Sequence, residues 1–192
     1  TPIKSSAASD VYKRQIIDSP AIAMKKRVGY VSKDRDVESL CLNASIEDNI
    51  SIAGMSEFAI NNFLILKNRE KKYVNHQIEE LSIKCAGRDQ SVSQLSGGNK
   101  QKVVFGKWIG CGSEILILDC PTRGVDIGVK QAMYQLMVRL KNEGKSILMI
   151  SEELPELIGM SDRILIMKNG EVSAEFERSE TLSDAQIIEY MI

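Results

Sequence analysis

A chain of 192 residues, 43% apolar and 27% charged, is long enough for one domain with a core and has the make-up of an ordinary soluble globular protein. Its formal net charge of −1 provides no drive towards non-specific nucleic-acid binding, and no apolar run approaches the ~20 residues of a membrane span. The four cysteines, Cys41, Cys85, Cys111 and Cys120, form neither a C-x-x-C pair nor a metal-ligand spacing, which predicts reduced thiols of a cytosolic protein.

The first 15 residues do not fit the rest. "SSAASDVYKRQ" is small and polar, without periodicity or a signal-peptide core, and resembles a translated sequencing adapter. Residues 1–15 are therefore expected to be artefactual or disordered, with a junction near Gln15 and the natural protein continuing upstream. "RVGYVS" (Arg27 to Ser32) reads as a short strand and "KDRDVES" as a charged loop. Ser45 and Asp48 stand in the spacing of an N-cap box before "IEDNIS". Two polar-faced helices are expected over Ser56 to Ala86, with the lone histidine, His76, on a surface. "SVSQLSGGNKQKVVFGKWIG" is a small-residue turn opening into a helix whose apolar positions include Val103, Val104, Trp108 and Ile109.

"ILILD" (Ile115 to Asp119) is a continuous apolar strand, the pattern of a strand buried on both faces, and it delivers an aspartate to its tip. "VKQAMYQLMVRLKNEG" is an amphipathic helix with Met133, Leu136, Met137 and Leu140 on one side, stopped by Gly144. "SILMIS" is a second buried strand, "RILIMKNGEVSAEF" a hairpin turning at Asn169-Gly170, and a helix follows Ser183. Strand, helix, strand in this order predicts βαβ units and a mostly parallel sheet, hence an α/β fold.

"GKS" at Gly144 to Ser146 is not a phosphate loop. The first glycine of that motif would be Arg139, and here a helix precedes and a strand follows, the reverse of the required order. "LSGGNKQK" (Leu95 to Lys102) is more specific. Ser96 can cap a helix whose first turn is Gly97 and Gly98, leaving bare amides at the positive helix end for an anion.

Together with the strand ending at Asp119 and the following "PTRGVD", this motif resembles the signature, Walker B and D-loop of the ABC ATPases. The "GGNKQKV" variant is similar to the second nucleotide-binding half of the monosaccharide (ribose/galactose-type) importers, in which one polypeptide carries two halves. "GYVSKDR" matches the family's Q-loop region, and "SEELPELIGMSDRILIMKNGEV" its switch loop and closing hairpin, so the likeness runs from about Ile16 to Ile192. The resemblance implies a P-loop NTPase-like, mostly parallel sheet with a helical subdomain, lacking its P-loop portion. The helical and signature region would cover about residues 44–110, and Walker B to the hairpin residues 111–192. A sheet without the strand of its phosphate loop is expected to expose apolar edges.

The resemblance also assigns roles. Ser96, Gly97 and Gly98 would contact the γ-phosphate of ATP held by an opposing half, with Asn99 supporting their loop and Asp126 speaking across the dimer interface. Asp119 corresponds to the aspartate that orients Mg2+ through water. Cys120 stands where the family has the glutamate that polarises water, Glu152 where it has the switch histidine, and Lys33 where it has the Q-loop glutamine. These three departures imply a degenerate site in this half. An alternative is that Glu152 supplies the missing carboxylate from another direction. Trp108 is read as core, and Arg123 as a group that meets phosphate, the opposing half or an interface salt bridge.

The implied protein is an ATPase subunit at the cytoplasmic face of the membrane. Its implied partners are an N-terminal nucleotide-binding half or second ATPase chain, sugar permease subunits docking near the Q-loop and residues 44–86, and an extracytoplasmic sugar-binding protein. Nucleic acid is not expected. The alternatives are a non-transport ABC protein, which should carry basic arms or coiled-coil insertions absent here, and a catalytically silent regulatory half.

Overall fold

The computed structural model describes residues 17–60, 64–179 and 182–191, so the expectation for the first 15 residues falls outside it. Helix α1 (Pro20–Lys25) is capped by Ser19 and leads into β1 (Val28–Val31). The segment expected as a charged loop is instead a π-helical turn, Arg35–Ser39, because the Asp34 carboxylate accepts from the Val37 amide at 3.3 Å and closes it locally. Helix α2 (Ile46–Ser51) begins in the capping box foreseen from Ser45 and Asp48.

The two helices expected over Ser56 to Ala86 are corrected to one. A 3-10 turn (Met55–Glu57) and an antiparallel pair, β2 (Ala59–Ile60) and β3 (Leu64–Ile65), precede α3 (Lys67–Glu80). The Phe- and Ile-rich residues around this pair favour extended backbone over helix. His76 lies on α3 with its side chain 71% exposed, 3.5 Å from Glu80 one turn on.

The chain then forms α4 (Gly97–Gly110), β4 (Ile115–Asp119), α5 (Ile127–Asn142), β5 (Ser146–Ile150) and α6 (Leu154–Met160). A hairpin of β6 (Arg163–Lys168) and β7 (Glu171–Glu177) and the short α7 (Asp184–Ile188) complete the described elements. The hairpin turns at Asn169 and Gly170, with φ of 53° and 83°. Its two positive-φ residues match the strands' right-handed twist.

The main sheet is parallel in the order β1-β4-β5, with Val31 opposite Leu118 and Leu118 opposite Met149. One face carries Val31, Leu116 and Leu118, all buried against Val103, Val104 and Phe105 of α4 and Met133, Leu136, Met137 and Leu140 of α5. Each such leucine contributes roughly 1.5–3 kcal/mol over an exposed one, more than the ~1 kcal/mol of a helix cap, so packing rather than capping holds α5 on the sheet. Trp108 packs against this core, as expected.

The expectation that the strands are buried on both faces is corrected. On the opposite face Ile115 of β4 and Leu148 and Ile150 of β5 are 42%, 54% and 49% exposed, because α4 and α5 cover only the other side. A cleft of about 760 Å³ runs along that open side, bordered by β5, α6 and β6.

Candidate functional site

A parallel sheet places the carboxyl ends of its strands together, and here those ends collect Lys33 after β1, Asp119 and Cys120 at β4, and Ser151 and Glu152 after β5. The Tyr30 hydroxyl donates to Asp119 Oδ2 at 3.2 Å. The Cys120 amide donates to the Ile150 carbonyl at 2.9 Å, extending the β4–β5 ladder, and its backbone has φ of 48°. That left-handed conformation is uncommon for a side chain with a Cβ and turns the chain sharply away from the strand.

Burial pushes the Cys120 thiol up from its ordinary value, and the charge of Asp119 together with the thiol's hydrogen bond to it adds to the rise, against a lowering by Lys33. The thiol is therefore neutral near pH 7 and donates towards the neighbouring carboxylate, a poor arrangement for taking a proton from water.

Glu152 forms an ion pair with Lys33. Their hydrogen bond holds the Glu152 carboxyl below its ordinary range and the Lys33 ammonium above its own. The resemblance assigned Lys33 and Glu152 to the Q-loop and switch positions separately, and the structure brings them together as partners.

The loops behind these tips are pinned by a residue that sequence reasoning passed over. Glu156, 5% exposed, accepts from Thr122 Oγ1 at 2.7 Å and from the Ser151 hydroxyl, joining the loop after β4 to the end of β5. It is one of the three glutamates Glu152, Glu153 and Glu156, and its burial distinguishes it.

The glycine turn lies at the start of α4. Ser96 caps that helix: its Oγ accepts from the Asn99 amide at 3.5 Å and from Asn99 Nδ2 at 3.0 Å. Asn99 Oδ1 in turn accepts from the Lys84 amide at 2.9 Å, so Asn99 braces the turn. Ser96 itself is exposed.

Both glycines also have packing reasons. A Cβ on Gly97 would lie 2.9 Å from Arg35 Nη2, and one on Gly98 would lie 2.5 Å from Val129 Cγ2 on α5. Asp126 caps α5, accepting from the Val129 amide at 3.0 Å, and the adjoining Ile127 is 86% exposed. The turn and the loop carrying Asp126 thus adjoin one another.

Mg2+ prefers oxygen ligands and commonly takes one or two carboxylates, with phosphate and water filling the rest. Asp119 fits that demand as a single ligand, while the soft thiol of Cys120 adds nothing to it. Among the described residues there is no cluster of three metal-ligating side chains.

A family model described as "ABC transporter" matches residues 6–123. A ribose import ATP-binding protein of Bacillus subtilis (strain 168) is 44% identical over 172 residues, covering 90% of this chain and 35% of that protein. Its counterpart from Clostridium tetani (strain Massachusetts / E88) is 39% identical over 189 residues, covering 97% and 37%. The chain therefore spans about a third of the length of the curated relatives it matches. Among solved structures, the ADP conformation of the ATP-binding cassette MJ1267 superposes with a TM-score of 0.69 at 21% identity over 90% of this chain and 70% of that one. The dimeric post-hydrolysis state of the cassette MJ0796, bound to ADP and Pi, gives 0.68 at 19%, over 85% and 68%. At these identities the likeness shows the shared α/β fold of the ABC ATPases.

Proposed function

The chain belongs to the ABC transporter family, and from that premise we propose that it is part of the second nucleotide-binding half of an ATPase that energises monosaccharide import. The names of its relatives, ribose import ATP-binding proteins, support the sugar class. The observation that carries the mechanism is the exposed Ser96 hydroxyl at the capped start of α4, braced by Asn99 and followed by the half-buried Gly97.

In this reading the Ser96 hydroxyl and the amides of Gly97 and Gly98 bind the γ-phosphate of ATP held by an opposing half or a second ATPase chain. Asp126 lies at the same interface. Asp119 would hold Mg2+ in this half's own site, where the ion would supply positive charge against phosphate.

The same half turns over ATP poorly. Its Cys120 thiol is neutral and faces a carboxylate, and loss of a general base costs about 10²–10⁴ in rate. Glu152 does not replace it, since its carboxylate is engaged by Lys33. Lys33 is likewise engaged rather than free to act as glutamine does on metal and water.

The partners are permease subunits, reached through the exposed apolar side chains Ile52, Met55, Ile60, Leu64 and Ile65 near α2 and the β2–β3 pair, and, through them, an extracytoplasmic sugar-binding protein. Among the described residues no helix is long and apolar enough to cross a membrane, and the proposed position is peripheral, at the cytoplasmic face. The decisive experiment uses the complete two-half protein with its permease and binding protein. Ser96→Arg, which fills the turn with a bulky side chain, should nearly abolish sugar-stimulated ATP hydrolysis. Unchanged hydrolysis would refute the reading.

A further inference from the structure

Arg35 opens the π-helical turn just after Lys33, and its side chain is only 17% exposed. Nη1 donates to the Arg123 carbonyl at 3.0 Å. Nη2 lies 2.9 Å from where a Cβ on Gly97 would stand and 3.9 Å from the same point on Gly124, whose φ is +67°. The guanidinium therefore fills the space between the glycine turn and the loop that leads to Asp126. On the side of the turn that space depends on Gly97 lacking a side chain, whereas a Cβ on Gly124 would only touch the guanidinium.

The π-helical turn is fastened to α4 at two further points. Lys100 pairs with Asp36 at 2.9 Å, and Lys107 Nζ donates to the Ser39 carbonyl at 3.0 Å. The turn thus rides on the signature helix, and Arg35 reaches from it to the loop after β4. A planar fork with donors at fixed spacing suits this bridge, whereas a lysine presents one compact charge on a flexible stem.

We propose that Arg35 is a positioning residue: it holds the Ser96–Gly97 turn and the Arg123–Asp126 loop in one register, so that both meet the opposing nucleotide together. The inference rests on the function proposed above. A misplacement of about 1 Å in a phosphate-facing turn can cost on the order of 10²-fold in rate, which makes such a brace kinetically visible.

The test is ATP hydrolysis by the complete two-half protein in its permease complex, with kcat and KM measured separately. Arg35→Ala and Arg35→Lys should each lower kcat by about tenfold or more while KM for ATP stays within about twofold, because the ATP being hydrolysed is bound mainly by the other half. Gly97→Ala, which drives a methyl group into the guanidinium, should lower kcat in the parent protein but add less than about twofold in the Arg35→Ala background.

Wild-type kcat in Arg35→Lys, or equal penalties for Gly97→Ala in the two backgrounds, would overturn the inference. Ser96→Arg separates the two levels. If it leaves hydrolysis intact, the proposed function fails. If it abolishes hydrolysis while Arg35→Lys is silent, only the role of Arg35 fails.

Discussion

Around Ser96 to Gly98 the close contacts are the Asn99 brace, which is also the cap of α4, the Val129 methyl against Gly98, and the Arg35 guanidinium against Gly97. Around Asp119 and Cys120 they are charged and paired: Lys33 with Glu152, and Tyr30 on Asp119. The first region presents an exposed hydroxyl, that of Ser96, which can be offered to a phosphate. In the second, Lys33 and Glu152 are already matched within the chain, and Asp119 accepts from the neutral Tyr30 hydroxyl. A half that donates its glycine turn and hydrolyses poorly at its own strand tips needs this difference.

Substitutions can test that contrast. The largest effect is expected from Ser96→Arg in the assembled transporter, a loss of about a hundredfold or more in sugar-stimulated hydrolysis, read as phosphate release, since even a single missing donor to a developing charge costs about 10²–10³. Next is Gly98→Ala. Its new methyl would meet Val129 at 2.5 Å, and overpacking of this kind costs typically 1–3 kcal/mol, seen as a lowered unfolding midpoint of the complete protein. Asp126→Ala removes the cap of α5 and should cost about 1 kcal/mol in the same measurement, separately from any effect on hydrolysis.

The strand tips should respond least. Cys120→Ala should change hydrolysis by less than about twofold, because a neutral thiol contributes little general-base catalysis to lose. A large loss would show that this site turns over ATP.

The Lys33–Glu152 pair predicts a titration rather than a rate. Because the Glu152 carboxyl is held low, its contribution is complete above the ordinary carboxylate range and is lost as pH falls through the lowered value. Because the Lys33 ammonium is held high, its contribution is complete below the ordinary amine range and is lost as pH rises through the raised value. The pair therefore persists between those limits. In an NMR titration, Lys33→Met should return the Glu152 carboxyl to its ordinary range. A carboxyl that titrates identically in the variant would show that Lys33 is not its partner.

Local motifs with strict spacing were legible in advance. The Ser45–Asp48 box, the Asn169-Gly170 turn, the cap at Ser96 and the amphipathic face of α5 each depend on residues a few positions apart. The β2–β3 pair was missed because its short Phe- and Ile-rich run lies beside a strongly helical stretch and carries too few residues to show a period of two. The π-helical turn at Arg35–Ser39 was missed because a run of charges reads as loop until Asp34 is seen to cap it.

Pattern and spacing along the chain were enough to establish an α/β domain, a parallel order around "ILILD", and a capped glycine turn followed by a strand-end aspartate. Such features arise from neighbours in sequence, whose hydrogen bonds and alternation are read from the residues themselves. Only the folded chain could show that Lys33 and Glu152 neutralise one another, that Glu156 is buried under Thr122 and Ser151, and that Arg35 lies against Gly97. Each of those contacts joins separate elements at the ends of a sheet or helix, and their energies depend on distances that no one-dimensional pattern contains.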